Sequence, residues 1–288
     1  MTATDGGRHP RSDFGPAAHA ELALLLEVAG TPKPGNVDRD HDFADLRFEH
    51  FLSGAVGARP GLDAAADPGD PLGAAFERAV AGMSQQRGGN TQFGCLLLLV
   101  PLVRTAATGA LTRERAAETV EATTVADARA FFAAFEHVDV AVDDPPPDLA
   151  DLDVGRGAAA GEAAVDRGLT WYDVMARSEG DGNAAAWTEG FLLVFEAAGA
   201  MLDDDGPAPD RVARAFLSLL GRREDTLVRV EHGPAVAREI RERAAGCDGL
   251  DEAGALAADL RERGINPGTT ADATAAATFV ALERGLPV

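Results

Sequence analysis

Apolar positions recur at helical spacing along almost the whole chain. PAAHAELALLLEVAG, from Pro16, carries a proline in its first turn, an apolar stripe and Gly30 as a C-terminal stop. Beyond a proline-rich turn, Phe43, Leu46, Phe48, Phe51, Leu52 and Val56 predict an amphipathic helix through FADLRFEHFLSGAVG. DPGDPLGAAFERAVAGM starts another at a proline-bearing turn. NTQFGCLLLLVPLVRTAATG is apolar on nearly every side, which predicts a central helix with neighbours all round. One or two helices follow over 112–138. The segment DVAVDDPPPDLADLDV then interrupts, because its three consecutive prolines cannot be helical.

Further helices are predicted over about 156–167, 170–179, 183–202, 208–221, 232–246, 249–263 and 268–284. No internal repeat and no alternating strand pattern emerges. The expected fold is all-α: a single multi-helix domain over 16–288, with Gly- and Pro-rich loops at helix ends, behind a polar N-terminal arm of residues 1–15. Composition agrees, since the 288 residues include only two isoleucines and one tyrosine, while Ala, Leu, Glu and Arg favour helix.

Charge narrows the partners. A formal charge of −21 argues against nucleic acid, whose phosphates need a basic face. An acidic excess almost without lysine suits molar salt, where the Debye length falls to roughly 3 Å. Most carboxylates are then expected to serve solvation. The start of the chain has no apolar signal core, and the longest apolar run, 95–103, is too short to span a bilayer. A soluble, cytoplasmic protein without membrane partners is expected; a homo-oligomer is compatible with the sequence. Cys95 and Cys247 belong to no CxxC pair, so neither disulfide framework nor zinc site is indicated.

Scarce residues point to a site. Lys33 is the only lysine and lies in TPKPGNVDRD; the only asparagines are Asn36, Asn90, Asn183 and Asn266, each in a Gly- or Pro-rich stretch. The two prolines stiffen the first loop and Gly35 permits close approach, so Lys33 is expected to project its ammonium from an exposed turn toward phosphate. Asp38, Asp40, Asp42 and Asp45 follow it, and a cation beside carboxylates suits a metal–polyphosphate ligand. The competing reading is a rigid turn with a solvated acidic face. GGNTQFG places Asn90 and Thr91 at a helix mouth, and GINPGTTAD does the same with Asn266, Gly268, Thr269 and Asp272. Either stretch can bind an anion on free N–H groups or simply cap its helix. Arg156, Glu162, Asp166, Asp181, Asn183 and Glu189 supply further polar groups, as do Asp225, Arg229 and His232 in EDTLVRVEHG. No Walker loop, GxGxxG turn, HExxH or Ser-His-Asp order is present.

TPKPGNVD, GGNTQFG and NPGTTAD together resemble the triphosphoribosyl-dephospho-CoA synthase family, in a divergent, archaeal-type branch; GEAAVDRGLTWYDVM and EDTLVRVEHG extend the likeness from about residue 17 onward. The resemblance implies an all-helical transferase that joins ATP to 3′-dephospho-CoA, or a related acceptor, with release of adenine. It implies Lys33, Gly35, Asn36, Asn90, Thr91, Asn266, Gly268 and Thr269 as phosphate- and substrate-binding residues. Mg²⁺ is implied on Asp38, Asp45 and Asp272, and catalytic carboxylates among Asp45, Glu162 and Asp181, since a glycosyl displacement needs a carboxylate near the cationic centre and a proton donor. One departure stands out: lyase-associated members carry a His-Lys pair after the Asn-Thr, where this chain has Gln92 and Phe93. That leaves the acceptor open, and with it two other readings: a Mg²⁺-dependent nucleotide or ribosyl hydrolase, and a non-catalytic helical binding protein.

Overall fold

The computed structural model describes residues 14–288, and the described residues form fifteen α-helices joined by turns and three short 3₁₀ segments, with no strand. The expected N-terminal arm lies almost wholly outside them. Two apolar helices run through the centre: α4 (Phe93–Thr108) and α15 (Gly268–Glu283). Leu96, Leu98, Leu99, Val100, Ala276, Phe279 and Val280 have no exposure at all, which is why both sequences lack a polar face. Around them pack α1 (Pro16–Ala29), α2 (Phe48–Ala66), α3 (Leu72–Met83) and α10 (Leu192–Asp203).

α4 keeps its path despite Pro101, which cannot donate to the carbonyl of Leu97. The indole Nε1 of Trp187 donates to that carbonyl instead, at 3.2 Å. The group freed by proline thus becomes the anchor for α9 (Gly182–Thr188). Trp187 also packs, tilted, at 4.6 Å against Trp171 of α8 (Trp171–Arg177), which meets Phe76 of α3 and Phe131 of α6 (Val125–Ala133) in an aromatic cluster. A second apolar cluster joins α11 (Ala208–Arg222), α13 (Pro234–Ala245) and α14 (Leu250–Glu262) through Phe216, Ile240 and Leu260.

Three expectations are corrected. The second helix begins at Phe48, because Asp42 Oδ1 accepts the Phe48 N–H at 2.7 Å and residues 43–47 turn ahead of it. The helix expected over 183–202 is two helices, split at Gly190 and at Phe191, which adopts a left-handed φ of 57°. A further helix, α12 (Thr226–His232), starts within EDTLVRVEHG, capped by Asp225. Of the described helices, no single one is long and apolar enough to cross a membrane.

Candidate functional site

The turns that hold the rare residues meet. Gly35 has a φ of 74°, and a Cβ there would lie 2.3 Å from the Ile265 carbonyl, so the opening loop is seated directly on the turn before α15. Asn36 Nδ2 donates to Asn266 Oδ1 at 2.9 Å across that contact. On the other side, Asn183 Nδ2 donates to Asp272 Oδ2 at 2.9 Å, joining α9 to α15. A Cβ on Gly94 would fall 1.9 Å from the same carboxylate oxygen, so the start of α4 also abuts Asp272. A cavity of about 600 Å³ opens among these elements, and all four asparagines line it.

Helix starts make up its polar wall. α4 and α15 are sixteen residues long, and neither has a side-chain cap at its N-cap residue, Gln92 or Pro267. Asn90 Oδ1 does accept the Phe93 N–H at 3.1 Å, so Asn90 serves as the cap that GGNTQFG allowed while also lining the cavity. Thr91, Asn266, Gly268 and Thr269 line it too. Behind them Asp225 fixes two helix starts at once: its Oδ1 accepts from Val228 N, and its Oδ2 from Thr270 N and Oγ1. Burial pushes this carboxyl up to about 6 against those donors. Thr226 Oγ1, next in sequence, accepts the Gly182 N–H at 2.8 Å and ties in α9. The N-termini of α9, α12 and α15 are thereby locked together.

Asp272 is a strongly perturbed carboxyl facing this space. Its Oδ2 receives Asn183 and its Oδ1 the Cys95 thiol at 3.3 Å, yet burial raises its carboxyl to about 7. The same environment, with Asp272 beside it, pushes the Cys95 thiol well up. Asp181 caps α9 through the Ala184 N–H at 2.8 Å, faces the cavity, and is raised by burial against its backbone donors. Asn183 Oδ1 is buried and has no hydrogen-bond partner, as have both amide atoms of Gln92 and the Thr91 hydroxyl, among the described residues.

Four of the expected site residues sit elsewhere. Lys33 is not exposed: it is 0 % accessible, its Nζ pairs with Glu27 and donates to Asn36 Oδ1 at 2.8 Å, and it lies 5.7 Å over the Phe216 ring. The lysine therefore stands behind the wall, holding Glu27 and Asn36 that form it. Burial raises the Glu27 carboxyl, and the Lys33 ammonium opposes that rise. Asp38 is equally enclosed and organises its own loop, accepting from Thr31 Oγ1, Lys33 N, Asp40 N and His41 Nδ1. Asp45 is exposed on the turn before α2, outside the cavity. Glu162 is a surface residue of α7 (Ala158–Asp166), paired with Arg129 at 2.7 Å.

The expected metal set is consequently not assembled. Among the described residues no three His, Cys, Asp or Glu gather as a metal-binding group, and only Asp272 of Asp38, Asp45 and Asp272 faces the cavity. The chain does not fit a resident Mg²⁺ cage.

Several participants carried no motif. Glu27, Cys95 and the apolar wall contributed by 131–154 lie within ordinary helical or loop pattern. Asn183 had a signal, its rarity, that assigned it no role. Arg229 is one of two arginines in a cavity lined by eight carboxylates.

The profile of the CitG family, described as ATP:dephospho-CoA triphosphoribosyl transferase, matches residues 14–287. A crystal structure from Archaeoglobus fulgidus, described as that of a candidate triphosphoribosyl-dephospho-CoA synthase, superposes with a TM-score of 0.67 at 28% identity, covering 82% of this chain and 99% of that one. No curated protein matches the sequence. With its motif-bearing turns gathered on one cavity and the family profile spanning nearly its whole length, the chain belongs to the CitG family of ATP:dephospho-CoA triphosphoribosyl transferases.

Proposed function

We propose that the chain transfers the 5-triphosphoribosyl group of ATP to the 2′-hydroxyl of 3′-dephospho-CoA, with adenine as leaving group. The observation that carries this reading is Asp272: a carboxylate held by Asn183 and Cys95 at the cavity wall, with a proton affinity near neutral. A general base works best when its pKa lies near the working pH.

In the step proposed, the ribose C1′–N9 bond of ATP breaks and its electron pair leaves with adenine. The acceptor 2′-oxygen bonds to C1′ and its proton passes to Asp272. The departing adenine takes up one proton, for which Asp181 is the candidate donor, so the overall reaction is neutral in protons. Positive charge that builds at C1′ is stabilised by the surrounding carboxylates. The open starts of α4 and α15, with Asn90, Thr91, Asn266 and Thr269, offer donors to the triphosphate. Lys33 supports this wall from behind. Mg²⁺ enters here as the counter-ion of the nucleotide, keeping its own waters and needing at most one or two carboxylates from the chain.

The test is mass spectrometry of products from ATP, Mg²⁺ and dephospho-CoA. An adduct carrying the intact triphosphoribosyl group, formed in step with free adenine, is expected. Adenine and ribose triphosphate without an adduct would mean hydrolysis instead.

A further inference from the structure

The cavity has a second wall that the proposed chemistry leaves unused. Phe131 and the turn residue Phe135, Met175 of α8, and Val140, Leu149 and Leu152 of the connecting segment line it. Residues 138–155 carry six aspartates and no basic residue, and Asp143, Asp144, Asp148 and Asp153 face the same space. This strap is tied to the rest of the site by Asp143 Oδ2, 2.7 Å from Arg229 Nη1, while Arg229 Nη2 donates to the Gly180 carbonyl.

An apolar surface fringed by carboxylates selects its occupant. It disfavours a polyphosphate, since Arg177 and Arg229, the latter already paired with Asp143, stand against eight carboxylates lining the cavity. It accepts an uncharged chain whose apolar carbons meet the aromatic wall and whose N–H and O–H groups donate to the aspartates. Of the two substrates, only dephospho-CoA has such a part. Its pantetheine arm bears a gem-dimethyl group, a hydroxyl, two amides and a thiol, and no charge.

Resting on the transferase reading above, we infer that the wall formed by 131–154 is the acceptor subsite, binding the pantetheine arm and so setting the preference for dephospho-CoA over acceptors that lack it. ATP then lies with its triphosphate toward the helix starts and its C1′ between the two walls. The arm contributes apolar binding remote from the reacting hydroxyl.

Steady-state kinetics with two acceptors tests this, using dephospho-CoA and ADP, which has the same ribosyl hydroxyl without the arm. The wild type should use ADP with kcat/KM lower by about tenfold or more, the worth of roughly 1.4 kcal/mol of arm binding. Leu149→Asp and Val142→Asp place a charge in the wall; Val142 is 44 % exposed and lines the cavity, so its variant should fold. Each should raise KM for dephospho-CoA by about tenfold and leave KM for ATP, and turnover with ADP, within about twofold. Val56→Asp, at a 60 % exposed position outside the cavity, should change neither. Equal use of ADP and dephospho-CoA by the wild type, or an unmoved dephospho-CoA KM in both variants, would overturn the subsite. No adduct from the wild type with either acceptor would instead overturn the transferase reading on which it rests.

Discussion

Asn183, which lines the cavity, donates its amide to Asp272 at 2.9 Å and keeps its own carbonyl oxygen buried and without a hydrogen-bond partner among the described residues. A buried acceptor left unpaired costs on the order of 1–3 kcal/mol, so this one is expected to be satisfied when a substrate hydroxyl or amine arrives. The residue then both aims the base and reads the substrate.

Asn183→Asp separates those functions. It keeps the size of the side chain but sets a second carboxylate against Asp272. Like charges disfavour joint ionisation, so the proton affinity of the pair rises. The acid limb of kcat/KM should therefore move to higher pH by about one unit or more, with activity partly restored in alkaline buffer. A profile that falls uniformly without shifting would show that Asn183 does not act through Asp272.

Asp272→Asn should remove the base and slow turnover by about 10²–10⁴-fold. For the wild type, Asp272 must be ionised to accept the hydroxyl proton and Asp181 protonated to supply one to adenine, so kcat/KM should be bell-shaped. Its Asp272 factor grows with pH through about 7, and the profile falls at higher pH as the donor ionises. Stability runs the other way. The folded-state value is raised above the ordinary 3.8, so the favourable contribution is full below about 3.8 and is lost as pH climbs through about 7. Above that, the fold carries a shielded charge which the amide abolishes. Asp272→Asn should thus be more heat-stable than wild type at pH 8, by on the order of 2 kcal/mol, with little difference at pH 4. Thermal melts at the two pH values check both signs.

Gly94→Ala probes the seat of the same carboxylate. A methyl there would meet Asp272 Oδ2 at 1.9 Å and Asn183 Nδ2 at 2.6 Å, so both must move. A displacement near 1 Å at a reacting group costs about 10²-fold. Far-UV circular dichroism should keep its helical signal while turnover falls by that amount. Unchanged turnover would place the chemistry elsewhere in the cavity.

Which of these features the sequence displayed follows from their physics. Helical periodicity is local, and so the all-α class and most helices were legible, including α4, where Trp187 takes up the carbonyl that Pro101 leaves free. The asparagines were legible as a set because Gly- and Pro-rich turns at helix ends are where polar ligand contacts concentrate, and the turns do converge. Individual roles were not legible. Asp38 and Asp272 look alike in sequence, each an Asp soon after a Pro-Gly turn. Yet three donors of its own loop and the His41 ring claim Asp38, whereas among the described residues the side chains that reach Asp272 are Asn183 and Cys95, from distant helices. Glu162 matched a helical face and nothing more; its surface position depends on how α7 packs. The apolar acceptor wall was hidden for a related reason, since its strap has the composition of a solvated acidic loop.

Lys33 gives the sharpest reversal and the last prediction. An ammonium projecting into solvent could be removed without harm to the fold. This one is wholly buried, and it is the countercharge of Glu27, itself 1 % exposed. Removing one partner of a buried pair strands the other, at a cost of about 3–5 kcal/mol. Lys33→Ala should therefore lower stability by that amount at neutral pH. Because the stranded Glu27 can relieve itself by taking a proton, the deficit should shrink as pH falls toward 5. Lys33→Met with Glu27→Gln removes both charges while keeping their volume, and should recover most of the loss in denaturant titration. Nucleotide affinity follows the fold in this scheme: the double variant should bind Mg·ATP within about fivefold of wild type, whereas a lysine gripping phosphate directly would lose far more. Calorimetric titration of the double variant decides between support from behind the wall and direct contact with the triphosphate.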